Sequence, residues 1–330
     1  MLTQPKQGPP ISTSNTTFYG ILCTVGAMLA FTLNDSGIKW LSGDYPLHEV
    51  VFFRATTAIL FTLTIFLPIE GGLKNLRTKR LPMHFLRGLC VVFANMMFFM
   101  GLASLKVSDA TAIFFVSPLI ITLFSVLFLS ERVGPWRWAG VFVGLIGVVV
   151  MVRPGTQSFQ FAALFPIIAA IAYATLNTLT RKMGQTETAS TMAFYIQLTF
   201  IVISAGIGLA LGDGKFSGSS DPSIEFILRA WVWPTLPDFA VMVFLGAASA
   251  LGGYLISQAY RLCEASVVAP FEYVAMPMAI LWGFLLFGDL PDAVAWIGII
   301  LITGSGLFVF WRETVTKNKI VGGPALPRNR

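Results

Sequence analysis

The sequence predicts an all-α membrane protein of ten transmembrane helices, arranged as two inverted five-helix repeats. Three observations lead there. Hydrophobic residues make up 55% of the chain and charged residues 12%, whereas a soluble domain carries about a quarter charged residues. Apolar runs of about 18 residues or more recur over nearly the whole length, each able to cross a ~30 Å hydrocarbon core as a helix. One stretch is also echoed: Glu131, Trp138 and Gly140 recur at the same spacing as Asp289, Trp296 and Gly298.

Residues 1–17 are polar and rich in Pro, Ser and Thr, and read as a disordered cytoplasmic tail. The first repeat covers 18–152, with spans at 18–41, 47–69, 84–103, 110–130 and 134–152. The fourth span opens on Asp109-Ala110-Thr111 and carries Pro118; the fifth follows Gly134-Pro135 and ends at Arg153. After a linker at 153–160, the second repeat covers 161–312, with spans at 161–181, 190–211, 238–260, 266–287 and 293–311. The ninth follows Glu264-Ala265-Ser266 and carries Pro277; the tenth follows Pro291 and ends at Trp311-Arg312. A second disordered cytoplasmic tail covers 313–330. Most connections are short. The exception runs from Gly212 to Pro237, where residues 224–233 mix apolar, charged and Trp side chains and suit a short helix at the membrane surface. The first apolar run is too long for the core of a cleavable signal sequence. Cys23, Cys90 and Cys263 lie in or beside spans without metal-like or disulfide-like spacing, and read as small packing residues.

With the N-terminus in the cytoplasm, sixteen Lys and Arg fall in inside segments and five outside, which predicts both termini inside and an inner-membrane location. The two halves can be laid over each other: Thr32-Leu33-Asn34 on Thr175-Leu176-Asn177, Lys106 on Arg261, Ala110 on Ala265. Each half has an odd number of spans, so the halves enter the membrane in opposite senses. Such inverted repeats underlie alternating access in many carriers.

With these segments the chain resembles the drug/metabolite transporter superfamily, EamA type, over about residues 18–312. The resemblance rests on Phe52-Phe53-Arg54, on Ala110-Thr111-Ala112-Ile113 leading to Ser117-Pro118-Leu119, and on Glu131-Arg132 before Trp138-Ala139-Gly140. In the second half it rests on Glu264-Ala265-Ser266, Pro270-Phe271-Glu272-Tyr273 and Phe287-Gly288-Asp289. Asp289 stands where the family often has Glu, a change at a loop with little functional weight. The resemblance implies a substrate pathway between the halves and alternating access. It leaves the substrate open among riboflavin or another planar heteroaromatic solute, S-adenosylmethionine-like metabolites and amino acids, and leaves import or export open.

Ionisable groups inside a membrane cost ~2.5–3.5 kcal/mol each on insertion scales, so they need partners or water. Asp35, Arg54 and Glu272 are the three cases. Asp35 and Arg54 both fall ~9–10 Å below the same surface on neighbouring helices. They are expected either to pair and fasten those helices or to leave Arg54 facing a substrate carboxylate, phosphate or carbonyl; Lys39 competes for Asp35. Glu272, just after Pro270, is a candidate with Asp35 for proton or ion coupling, or else a polar contact between helices. The polar candidates for substrate contact are Asn34, Asn177, Gln197 and Gln258; Phe53, Tyr173, Tyr195 and Tyr273 are the aromatic ones. For each, helix packing is the competing role. Gly140, Gly144, Gly147, Gly298, Gly304 and Gly306 form small-residue faces, assigned to scaffold or to a homodimer contact.

Three function classes were weighed. A carrier of a small organic solute fits the repeat and the buried polar residues. A membrane enzyme lacks a visible constellation: the chain has two histidines, no metal-ligand cluster, no phosphate-binding Gly-rich loop and no Ser/His/Asp set. A channel lacks a visible carbonyl filter or charged ring. No cofactor is implied, and the basic excess is a matter of topology, requiring no nucleic acid. The partners expected are the solute and the lipid bilayer.

Overall fold

The computed structural model describes residues 14–69, 72, 76, 78, 81–129, 134–156, 160–183, 189–262 and 271–321. Among them every regular element is helical. The first half contains α1 (Ser14–Leu41), α2 (Leu47–Phe61), α3 (Leu81–Ser104), α4 (Val107–Phe114), α5 (Ser117–Leu129) and α6 (Pro135–Val152). The second contains α7 (Leu164–Met183), α8 (Ala189–Leu211), α9 (Pro222–Leu228), α10 (Leu236–Leu262), α11 (Ala275–Phe287) and α12 (Ala293–Val321). Among the described residues, six stretches are long and apolar enough to cross a membrane: Phe18–Leu41, Leu47–Ile69, Leu81–Ser104, Val107–Phe128, Ala193–Leu211 and Leu236–Ile256. Four shorter apolar helices are Trp138–Val152, Phe161–Leu176, Ala275–Phe287 and Ala293–Val309.

Local chemistry explains the boundaries. α2 follows Pro46 and continues past Phe61 through a π-helical stretch, Thr62–Phe66, into the turn Leu67–Ile69. α6 has Pro135 in its first turn, where a missing N–H costs nothing, and ends at Arg153 in the left-handed conformation (φ 50°). α9 is capped by Asp221, whose carboxylate accepts from Ser223 N–H (2.8 Å) and Ile224 N–H (3.3 Å).

Several expectations are corrected. The fourth span is interrupted: the helix breaks at Phe115-Val116, because Pro118 has no N–H to bond the Phe114 carbonyl and its ring crowds that oxygen. α1 begins at Ser14, inside the expected first tail, and α12 runs on to Val321, beyond the expected start of the second. The first strong helix breakers after Arg312 are Gly322-Gly323-Pro324, so propagation continues to that point. The surface helix is shorter than its apolar pattern and docks on α3, with Phe226 fully buried. Glu131, Arg132, Cys263, Glu264, Ala265, Ser266 and Pro270 lie outside the described residues, as does the side chain of Asn177.

The helices pair across the halves. α1 packs on α10 and α11, and α3 on α7 and α8. α2 packs on α8 and α10, α4 and α5 on α7, α4 on α11, and α6 on α12. The last of these pairs uses the glycine faces. A Cβ on Gly140 would overlap Val309, and one on Gly298 would overlap Met151 while approaching Gly147 O at 3.2 Å. These faces are thus occupied within the chain. Gly304 is open, with nothing within 4 Å of a Cβ, and Gly306 lies under the Tyr273 hydroxyl. Lys106 Nζ donates to Leu290 O (2.6 Å) and Arg153 pairs with Asp292, so the α3–α4 turn and the end of α6 meet the α11–α12 loop at the end of the molecule where α1 turns into α2.

Candidate functional site

Arg54 lies in the second turn of α2 and is 3% exposed. Its guanidinium carbon stands 5.4 Å from the centroid of the Phe99 ring on α3 and 5.1 Å from that of Phe200 on α8. These are cation–π distances, and they fix the head group where three helices meet. Gly246 of α10 packs on the other side, with a Cβ there only 2.6 Å from Arg54 O. Among the described residues Arg54 makes no hydrogen bond or ion pair, and its Nε is buried without a partner.

The expected Asp35–Arg54 ion pair is therefore absent. The Asp35 carboxylate accepts from Asn34 Nδ2 (3.2 Å), and it acts on Arg54 only through space. Lys39 does not compete for it: Lys39 Nζ donates to the carbonyls of Leu102 (3.1 Å) and Leu105 at the C-terminus of α3, where the helix dipole favours a cation. Arg54 Nε on α2, Asn34 Oδ1 on α1 and Gln197 Oε1 on α8 are among the buried polar atoms without a partner. A buried polar group without a hydrogen bond costs free energy, so such atoms mark places where a solute or water completes the structure.

The other candidates are scattered. Phe53 turns away from Arg54 and packs edge-on against Phe239 (5.4 Å) and near Trp231 (5.9 Å). Tyr195 sits toward the opposite end, stacked on His84 (4.7 Å) and donating to Leu76 O (2.8 Å). Tyr273 stacks on Phe115 (5.1 Å) and rests on Gly306. Tyr173 is 38% exposed, with its ring 5.5 Å from Phe114. Gln258 and Glu272 are half-buried.

Sequence reasoning missed four contributors. Phe99 and Phe200 were two among many phenylalanines. Glu49, three residues into α2, is fully buried and was not among the ionisable candidates. Trp282 donates to Thr32 Oγ1 (3.2 Å) and ties α11 to α1. Two open apolar grooves, of about 310 Å³ between α6 and α12 and about 430 Å³ between α3 and α7, lie apart from Arg54.

Comparison with known proteins bears on the class. Residues 18–153 match the EamA-like transporter family. The first half of the chain is thus similar to that family. The chain is 27% identical to an S-adenosylmethionine uptake transporter of Rickettsia bellii, over 89% of this chain and 94% of that one. A riboflavin transporter of Rhizobium johnstonii is 28% identical over 91% and 93% of the two chains. A pseudopaline exporter of Pseudomonas aeruginosa is 25% identical over 86% and 93%. A solved crystal structure shares the fold with a TM-score of 0.60 at 20% identity, covering 92% of this chain and 99% of that one. These relatives are named as transporters or an exporter, and none as an enzyme.

Proposed function

We propose that this EamA-like chain is a secondary carrier that moves a small organic solute across a bacterial inner membrane by alternating access around Arg54. In this reading ten spans form two inverted five-helix repeats, 18–152 and 161–312, with both termini in the cytoplasm. The helix pairing supports the repeat. Exchanging α1 with α7, α2 with α8, α3 with α10, α4 and α5 with α11, and α6 with α12 maps the most extensive contacts between the halves onto one another.

The observation that carries the site is Arg54 itself: buried, held between Phe99 and Phe200, and without a hydrogen bond or ion pair among the described residues. Breaking a buried ion pair costs ~3–5 kcal/mol, so a guanidinium kept in the interior with no hydrogen bond or contact ion pair calls for a functional reason. A solute acceptor supplies one. Asn34 Oδ1 and Gln197 Oε1 are then free to accept from donors on the same solute. The flanking phenylalanines suit a flat ring, and riboflavin or another planar heteroaromatic solute answers to acceptors, donors and ring together. A carboxylate-bearing solute, such as an S-adenosylmethionine-like metabolite or an amino acid, is the second reading; the uncompensated charge of Arg54 favours it. Asp35 and Glu272 remain the proposed coupling groups.

The test is uptake into proteoliposomes of labelled riboflavin and, separately, labelled S-adenosylmethionine. Saturable flux of either supports the carrier and selects the class. A flux that rises linearly with concentration and does not saturate would contradict it.

A further inference from the structure

The groove of about 310 Å³ between α6 and α12 is apolar and open to the surroundings. Its walls include Trp136 and Val143 on α6 and Ile300 and Phe308 on α12, all exposed. Gly304 lies between them, and a Cβ there would meet nothing within 4 Å. The missing side chain is what leaves the groove open. From Trp136 to Val143 and from Ile300 to Phe308 the groove runs ~10–12 Å along both helices.

One end of this groove is chemically different. Phe308 packs edge-on against Trp136 (6.2 Å) and lies 6.4 Å from Trp311. The guanidinium carbon of Arg312 stands 4.3 Å from the centroid of the Trp136 ring, a cation–π distance. Arg312 is one helical turn beyond Phe308 on the same face, so the cation is held at the mouth of the groove. Tryptophans and arginines at helix ends sit at the depth of the lipid head groups. Beyond that depth α12 runs on to Val321 and carries Lys317 and Lys319. After Trp311 the sequence holds Arg312, Lys317, Lys319, Arg328 and Arg330 against the single acid Glu313, and Arg137 follows Trp136. An apolar slot that ends at a cation on a basic surface is complementary to an amphiphile with an anionic head.

We propose that the α6–α12 groove binds an anionic phospholipid, with one acyl chain lying over Gly304 and the phosphate meeting Arg312. A guanidinium carries five N–H donors, so contacts to the protein and to a phosphate are compatible, and its fork matches phosphate oxygens. A second copy of the chain is a poorer occupant. Two copies related by an axis along the membrane normal present the same patch to each other. That would bring Arg312 and its basic neighbours from both copies together at one depth. The lipid site lies apart from Arg54 and is independent of what the chain carries.

The test is thermal unfolding of the purified full chain in detergent, titrated with dioleoylphosphatidylglycerol and with dioleoylphosphatidylcholine. The two lipids share their acyl chains and differ in charge, and binding to the folded state raises apparent stability with concentration. The anionic lipid is expected to give the same rise in Tm at a concentration lower by about fivefold or more. Arg312→Gln is expected to need about fivefold more phosphatidylglycerol, the scale of one basic residue at an anionic surface, with the phosphatidylcholine response unchanged. Gly304→Leu fills the groove and is expected to abolish the preference while melting, without lipid, at or above the parent temperature. Gly304→Ala leaves most of the groove and is expected to keep the preference. Equal responses to the two lipids in the parent, or a parental phosphatidylglycerol response in Arg312→Gln, would overturn the site. So would a preference that survives Gly304→Leu, which would reduce the effect to diffuse attraction by the basic tail. A parent dimer in light scattering that Gly304→Leu splits would give the groove to a second copy and overturn the lipid.

Discussion

The ring of Phe115 stacks on the ring of Tyr273, with centroids 5.1 Å apart and planes at 26°. Both residues sit where a helix is interrupted, Phe115 between α4 and α5 and Tyr273 just before α11. The register that lays Glu131 on Asp289 also lays Phe115 on Tyr273. Equivalent breaks thus face each other, as a two-fold axis relating the proposed repeats would require. Tyr273 reaches this position because Gly306 on α12 leaves room for its hydroxyl. Gly306→Ala is expected to displace the ring and lower the melting temperature. Tyr273→Ala in the same chain is expected to recover part of that loss, so a double-mutant cycle should show strong coupling.

The α6–α12 seam makes a sharper contrast. A Cβ on Gly144 would overlap Leu119 and approach Ser305 Oγ at 2.9 Å, whereas one on Gly304 meets nothing within 4 Å. Gly144→Val is expected to cost about 1–3 kcal/mol, the usual penalty of overpacking. Gly304→Ala is expected to leave thermal unfolding unchanged or slightly raised. Equal effects at the two sites would contradict the packing described.

Asp292 offers a pH test outside the spans. Arg153 beside it, and then the N–H of Ala295 (2.8 Å), hold its carboxyl below the ordinary carboxylate range. A carboxyl depressed in the folded state stabilises the protein above its unfolded value and loses that contribution as pH falls through the folded value. The pair is largely exposed, with side chains 22% and 55% accessible, so its worth is about 0.2–1 kcal/mol. The melting temperature of Asp292→Asn, which keeps an acceptor for the Ala295 N–H, should fall slightly below the parent at neutral pH. The gap should close as pH drops below about 4.

The helices were legible because apolar length is a strong signal, whereas the break before Pro118 was not, because an apolar run reads the same on both sides of it. The side-chain partnerships were not. Sequence placed Asp35 and Arg54 at one depth, but depth says nothing of the direction in which each helix turns its face, and Asp35 bonds Asn34 instead. Lys39 was read as a competitor for Asp35, yet the open carbonyls at the end of α3 hold it, and these are visible only once the helices are packed. Glu49 is a related case: nothing near a helix start in the sequence signals that a segment 183 residues away, at Val232, bonds and covers it.

Removing the Arg54 charge should not harm the fold. The group makes no ion pair within contact distance among the described residues, Asp35 feels its charge only through space, and replacing a buried charge by an apolar side chain of similar length is often neutral or stabilising. Arg54→Met is therefore expected to melt at or above the parent temperature in the absence of solute. A loss of several degrees would make Arg54 a structural residue.

The most direct test of the substrate site is ligand-induced thermal stabilisation of the purified protein and of Arg54→Met, titrated with riboflavin and with S-adenosylmethionine. A solute that binds the folded state raises apparent stability as RT ln(1 + [L]/Kd). The account predicts a concentration-dependent rise with one of these solutes in the parent and none in Arg54→Met. An equal rise in both proteins would place the binding site elsewhere and contradict it.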